Sequence, residues 1–209
     1  MENISFYAEA TTNSARIKYT VEIRPILTSV CIPYMDAERC RCLCEVGCLN
    51  YSKKWSCPPF SPTFAEYALG YRQIFIFYMR TNMMQFSYIK NDYLKIKAAN
   101  SILKSRADRY IRQLAAQHGR YISTGSCRIC KPCKCKLGLS CVNPESMAYS
   151  LEALGVDVSG LVERCFHSPL QWYKQRCLPE YTSVVCGILT KDAITAEFYR
   201  EVFLVFSTE

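Results

Sequence analysis

Histidine is nearly missing from this chain: His118 and His167 are the only two in 209 residues, and neither lies among the cysteines. Zinc sites of mixed histidine and cysteine type are therefore poorly supported. His118 reads as a cation at a helix C-terminus and His167 as a surface residue. No apolar run reaches membrane-spanning length, so no membrane association is expected. The first thirty residues carry no basic stretch followed by an apolar core. No secretory leader is expected on that ground, and a soluble cytoplasmic protein is. Glycine-rich nucleotide loops are absent, as is any acid-base or nucleophile constellation, which leaves an enzymatic role open.

What the chain has instead is cysteine, fourteen in all. Five fall in 40–57 (Cys40, Cys42, Cys44, Cys48, Cys57) and five in 127–141 (Cys127, Cys130, Cys133, Cys135, Cys141). A chain of this length, half of it hydrophobic, can bury a core without staples. In a reducing compartment clustered thiols then read as metal ligands rather than disulfides. Cys31, Cys165, Cys177 and Cys186 stand apart as ordinary core or surface thiols. Cys186 lies within the apolar run Val184-Val185-Cys186-Gly187-Ile188-Leu189, where a cysteine acts as a small hydrophobe.

Spacing narrows the metal. Cys127-x2-Cys130-x2-Cys133 is the triplet with which bacterial ferredoxins hold three irons of a cubane, a more distant cysteine supplying the fourth. Cys141 follows a loop containing Gly138 and completes four. A zinc ribbon needs two separated Cys-x2-Cys knuckles, so an iron-sulfur cluster is favoured, with zinc as the alternative. Lys131, Lys134 and Lys136 interleave with the thiols and would favour their ionised forms, unless they are simply a solvated loop. In the first group, Tyr51 and Trp55 could wall a cluster from water, and Pro58 stiffens the exit from Cys57. The radical-SAM spacing Cys-x3-Cys-x2-Cys fails there, because position 51 is tyrosine.

Periodicity predicts an α/β fold: a small central sheet with flanking helices and two cysteine-rich cofactor-binding loops, at 40–59 and 125–144, in a single domain over 1–209. Alternation of Ile17, Tyr19, Val21 and Ile23 predicts a strand over 16–23 ending at Pro25. Ser61-Pro62-Thr63 predicts a helix with proline at its first position, running to Gly70. Continuous apolar residues predict a strand over 73–79 buried on both faces, and another over 181–189. Ile96, Ala99, Leu103, Ala107, Tyr110 and Leu114 predict a long helix over 91–117, stopped by Gly119. A short strand over 120–123 should deliver the chain to the second cysteine group. A further helix is expected from Pro144 to near Gly155.

Three motifs in order resemble a known family. They are Cys44-x3-Cys48-x2-Tyr51-x3-Trp55-x-Cys57-Pro58-Pro59, Gly125-x-Cys127-x2-Cys130-x2-Cys133 with Cys141-x2-Pro144, and the segment Ser146-Met147-x3-Leu151-Glu152-Ala153-x-Gly155-Val156-Asp157-Val158. Over roughly 16–189 the chain resembles the predicted metal-binding proteins of domain of unknown function 2284. The resemblance implies metal binding by Cys44, Cys48 and Cys57 and by Cys127, Cys130, Cys133 and Cys141, and it supplies no reaction. Ser52 stands where the family usually has glycine after the motif tyrosine, which raises the question of that turn's geometry. Cys40, Cys42 and Cys135 are extra thiols, candidates for the ligand that a three-cysteine first site would lack.

Charge completes the expectation. Lys and Arg number 26 against 18 Asp and Glu, a formal +8 that alone would suggest an acidic partner. Two oxidised four-thiolate cubanes would carry about −2 each and leave roughly +4. Lys90, Lys95, Lys97, Lys104, Arg106, Arg109 and Arg112 give the long helix a basic side, read first as a solvated face. The expected protein is thus a carrier of one or two [4Fe-4S] clusters, serving electron transfer or as a redox subunit with a redox partner protein. A zinc-stabilised module for nucleic acid or a protein partner, the nucleic acid not favoured, and an enzyme with an open iron are the alternatives.

Overall fold

The computed structural model describes residues 3–192 and 196–207. Five strands form one sheet: β1 (Ile4–Thr11), β2 (Arg16–Leu27), β3 (Gln73–Asn82), β4 (Arg120–Ile122) and β5 (Tyr181–Thr190), in the order β1-β2-β3-β5-β4, every neighbouring pair antiparallel. The helices are α1 (Ala37–Gly47), α2 (Phe64–Tyr67), α3 (Asp92–Arg106), α4 (Arg112–His118), α5 (Val158–Phe166) and α6 (Ala196–Ser207). The α/β expectation holds.

The central strand shows why its sequence lacks alternation. Phe75, Phe77 and Met79 of β3 pack with Leu103, Ile111, Leu114, Phe198 and Phe206 on one side of the sheet. Ile74, Ile76 and Tyr78 pack with Leu151, Leu154, Leu161 and Val162 on the other. Helices cover both faces, so a strand in an antiparallel sheet carries the continuous apolar run more usual of parallel ones.

Several predicted elements shift. β2 runs through Pro25 to Leu27 rather than ending there. Among the described residues, pairing with β1 begins at Ile4↔Ile23, and Pro25 pairs with Phe75 of β3. The helix expected over 61–70 is one turn, and its N-cap is Thr63, not Ser61. Thr63 Oγ1 accepts from Glu66 N at 3.3 Å while Glu66 Oε2 accepts from Thr63 N at 2.7 Å, a reciprocal cap that fixes the start after Pro62. The long helix is continuous from Asp92 to His118 apart from one wide π turn over Ala107–Ile111, and Gly119 ends it as expected. Between Pro144 and Gly155 there is no helix: Ser123 N donates to Tyr149 O at 2.8 Å and pulls the chain alongside the end of β4. Only a tight turn follows, closed by Leu154 N to Ser150 O at 3.0 Å.

Candidate metal centre

The first cysteine group begins on a helix, not a loop. Asp36 caps α1, accepting from Arg39 N at 3.0 Å, and no residue of α1 is buried. At 100° per residue Cys40, Cys44 and Cys48 form one stripe, while Cys42 points to the opposite side and is exposed. The helix is pinned at its start alone: Asp36 N donates to Gly155 O at 2.8 Å and Asp157 N to Tyr34 O at 2.7 Å. Gly155 has φ +84°, and a Cβ there would lie 2.7 Å from Ala37 Cα. This close crossing is the reason for the glycine in the Leu151-Glu152-Ala153-x-Gly155 segment.

Cys44, Cys48 and Cys57 stand within electrostatic reach of one another. Burial pushes the Cys57 thiol up to about 11; the Ser56 hydroxyl opposes this, Cys48 adds to it, Lys54 opposes it and Cys44 adds a little. Burial also raises Cys44, with Cys48 and Glu152 contributing. Cys40 is raised to about 11 by burial, then by Asp36, Glu152 and Asp157, with Cys44 the smallest influence. Ser52, in the turn joining Cys48 to Cys57, has φ +54°, the left-handed region that glycine adopts freely.

The second group is a loop. Cys127, Cys130, Cys133 and Cys141 line one cavity, together with Trp55, Ser56, Ile129, Asn143 and Met147. Asn143 Nδ2 donates to Cys130 Sγ at 3.0 Å. Cys135 does not line this cavity; it is buried and its thiol donates to Ser52 O at 3.8 Å, across the seam between the two groups. Trp55 therefore walls the second set rather than its own, anchored by Nε1 to Leu139 O at 2.9 Å and packed on Phe60. Tyr51 is half-buried in the first turn. Lys131 and Lys136 are exposed and Lys134 is half-buried.

The two sets are joined. Cys127 N donates to Ser56 Oγ at 2.9 Å, and the same oxygen lies 4.0 Å from Cys57 Sγ. Lys54 Nζ adds bonds to Ser126 Oγ at 3.1 Å and Cys127 O at 2.8 Å. One hydroxyl thus spans from a thiol of the first set to the backbone of the second. Among the described residues no three Cys, His, Asp or Glu side chains are gathered closely enough to hold a single metal ion. What the second four share is a cavity, not a point.

All fourteen cysteines are free thiols. Cys31, Cys165 and Cys186 are buried and Cys177 is exposed, as read from the sequence. His118 ends α4 and its Nε2 lies 2.6 Å from Glu201 Oε2 of α6; His167 is exposed at the end of α5. The basic side of the long helix is largely engaged within the protein: Lys95 pairs with Asp92, Lys97 and Arg109 lie over Tyr93 and Tyr110, and Arg112 lies over Tyr121 while donating to Ser146 O. A cleft of about 830 Å³, lined by Arg112, Arg120, Tyr67, Tyr71 and Tyr121, shares Ile129 and Met147 with the second thiol cavity. Neither this cleft nor the Ser56 bridge was anticipated, since both join segments far apart in the chain.

An antiparallel sheet covered by helices and bearing two joined groups of free thiols defines a cysteine-rich metal-binding protein. The chain belongs to the family described as predicted metal-binding protein (DUF2284), which matches residues 31–189. The match omits 16–30, which the motif resemblance had included, so β1 and β2 lie wholly outside it. No curated protein and no solved structure matches the chain. No helix among the described residues is long and apolar enough to cross a membrane.

Proposed function

We propose that this protein is a cytoplasmic iron-sulfur protein with two cluster sites, the second closed by four cysteines and the first left with an open position. When bound, [4Fe-4S] clusters would supply one-electron chemistry. The observation that carries the reading is the pair of sets joined through Ser56, with Cys127, Cys130, Cys133 and Cys141 around one cavity. An all-thiol set selects zinc or iron-sulfur. A zinc ribbon needs two separated Cys-x2-Cys knuckles, whereas Cys127-x2-Cys130-x2-Cys133 with the more distant Cys141 is the ferredoxin spacing, which supports the cluster. The amide of Asn143 on Cys130 Sγ is a hydrogen bond of the kind that tunes a cluster's potential.

The open first site follows from the helix. Cys40 and Cys48 are two turns apart, about 12 Å in axial rise, too far to serve one cluster together while α1 is intact. Cys42 faces away, and Cys135 is committed to Ser52. Cys44, Cys48 and Cys57 would then hold the first cluster with no fourth protein thiol, and Cys127, Cys130, Cys133 and Cys141 would hold the second, which would supply electron transfer to a redox partner protein. An open metal position can also act as a Lewis acid, which keeps an enzymatic role within this reading.

Anaerobic purification followed by iron, acid-labile sulfide and electron paramagnetic resonance tests it. Two cluster signals, one of them lost in Cys44→Ser and the other in Cys130→Ser, are expected. A colourless protein holding only stoichiometric zinc would favour the zinc-stabilised module instead.

A further inference from the structure

We propose that the cavity beside Lys104 is a binding site for a small organic carboxylate. The cavity and its donors stand independently of the reading given above. Its volume is about 150 Å³. That is the space of about five waters at about 30 Å³ each, below the ~300 Å³ at which sites for larger ligands begin.

The donors decide the class of ligand. Lys104 projects from α3 so that a Cβ on Gly125 would lie 3.6 Å from its Nζ, which sets the amine against the backbone leading into the second thiol loop. It is half-buried, and among the described residues no carboxylate pairs with it: Asp108 is held by Arg128, and Glu152, Asp108 and Cys48 act on it only at a distance. A cation withdrawn from water without a partner is costly, and an anionic ligand would remove the cost. Asn100 Oδ1 accepts from Thr182 Oγ1 at 2.9 Å and Gln171 Oε1 accepts from Tyr181 N at 3.2 Å. Both amide NH₂ groups are thereby left as donors in the cavity.

Around these donors the wall combines the hydroxyls of Thr124, Thr182 and Ser183 with the apolar side chains Ile96, Val158 and Trp172. A carboxylate with a short carbon body can use both parts; an inorganic oxyanion can use only the polar one. Glu152 also lines the cavity, within electrostatic reach of Lys104 as well as of Cys40 and Cys44, so an anionic ligand competes with it for the amine. Cys48, also within electrostatic reach of Lys104, belongs to the first thiol set.

Calorimetric titration of the anaerobically prepared protein with acetate, pyruvate, succinate and inorganic phosphate tests the assignment. At least one carboxylate should bind saturably and at least tenfold more tightly than phosphate. Lys104→Gln should weaken it at least tenfold and Gln171→Leu several-fold, with metal content and circular dichroism unchanged in Gln171→Leu. Absence of saturable carboxylate binding, equal binding of phosphate, or unaltered affinity in both variants overturns the proposal. Iron without carboxylate binding refutes this inference alone. Carboxylate binding by a protein that holds only zinc refutes the iron-sulfur reading alone.

Discussion

Replacing Gly155 by alanine is expected to destabilise the protein by about 2–5 kcal/mol and to loosen the first thiol set before the second. Two costs add. At φ +84° a residue with a Cβ pays roughly 1–2 kcal/mol for the left-handed backbone. The new Cβ would also stand 2.7 Å from Ala37 Cα, 2.8 Å from its Cβ and 3.2 Å from its N, where backbone must move, and overpacking of this kind costs about 1–3 kcal/mol. The loss is large against a domain stability of ~5–15 kcal/mol. Because Ala37 opens α1, the displaced element is the one that carries Cys44 and Cys48, while Cys57 stays with its own turn. Urea unfolding of the metal-free protein should show a lower midpoint at unchanged slope. Loaded protein should lose the metal held by Cys44, Cys48 and Cys57 first on chelator challenge. Adding Ala37→Gly removes only the Cβ contact and should restore at most a part of the loss, since the approaches to Ala37 Cα and N are to backbone. A change below ~0.5 kcal/mol at constant slope, ordinary for a surface substitution, would refute the close-crossing argument.

Other expectations are as direct. Ser52→Gly should stabilise the metal-free protein by about 1 kcal/mol, since φ +54° costs serine what glycine does not pay; an unchanged urea midpoint would count against it. Cys40→Ser and Cys42→Ser should each retain iron and sulfide content, whereas Cys44→Ser should lose one cluster; loss in Cys40→Ser would place the fourth ligand on α1. Metal-free protein should be less stable in alkali, because burial raises the Cys31 thiol to about 12 and Cys186 also upward. Below about pH 9 these thiols are protonated in both states and their contribution is whole. Above it the unfolded chain releases protons that the folded one keeps, so stability falls as pH rises toward the folded values. In reducing buffer Cys186→Ala should reduce that alkaline slope; parallel curves for variant and parent would sink the assignment.

How much of this was legible depends on the range over which each feature is built. β3, β5 and the long helix announce themselves because one stretch of chain contains the whole signal. β1 carries a signal too, Ile4, Phe6, Ala8 and Ala10 alternating with Ser5, Tyr7, Glu9 and Thr11, but in a stretch polar and mixed enough to pass for an irregular segment. α5, with Val158, Leu161, Val162 and Cys165 after the cap Asp157, and α6, with Phe198, Val202 and Phe206, were equally periodic and equally passed over. The π turn left no trace in residue type. Lys104 looked like one more charge on a solvated face, because its cavity is assembled from α3, β5 and two loops that only the fold brings together.

The two cysteine groups show why spacing must be read together with backbone. In the second, three thiols with two residues between each lie in a loop, so the chain can wrap them around one centre, and the four cysteines that share a cavity could be named from sequence. In the first, the similar density of thiols lies on a helix that the cysteines themselves concealed, since they displaced the apolar pattern by which helices are recognised. A helix does not wrap. Four residues advance about 6 Å along its axis, so neighbouring thiols of the stripe can share a centre and the outermost pair cannot. The surplus of cysteines in the first set therefore does not converge on one centre: Cys40 is about 12 Å of helix rise from Cys48, and Cys42 is on the other side.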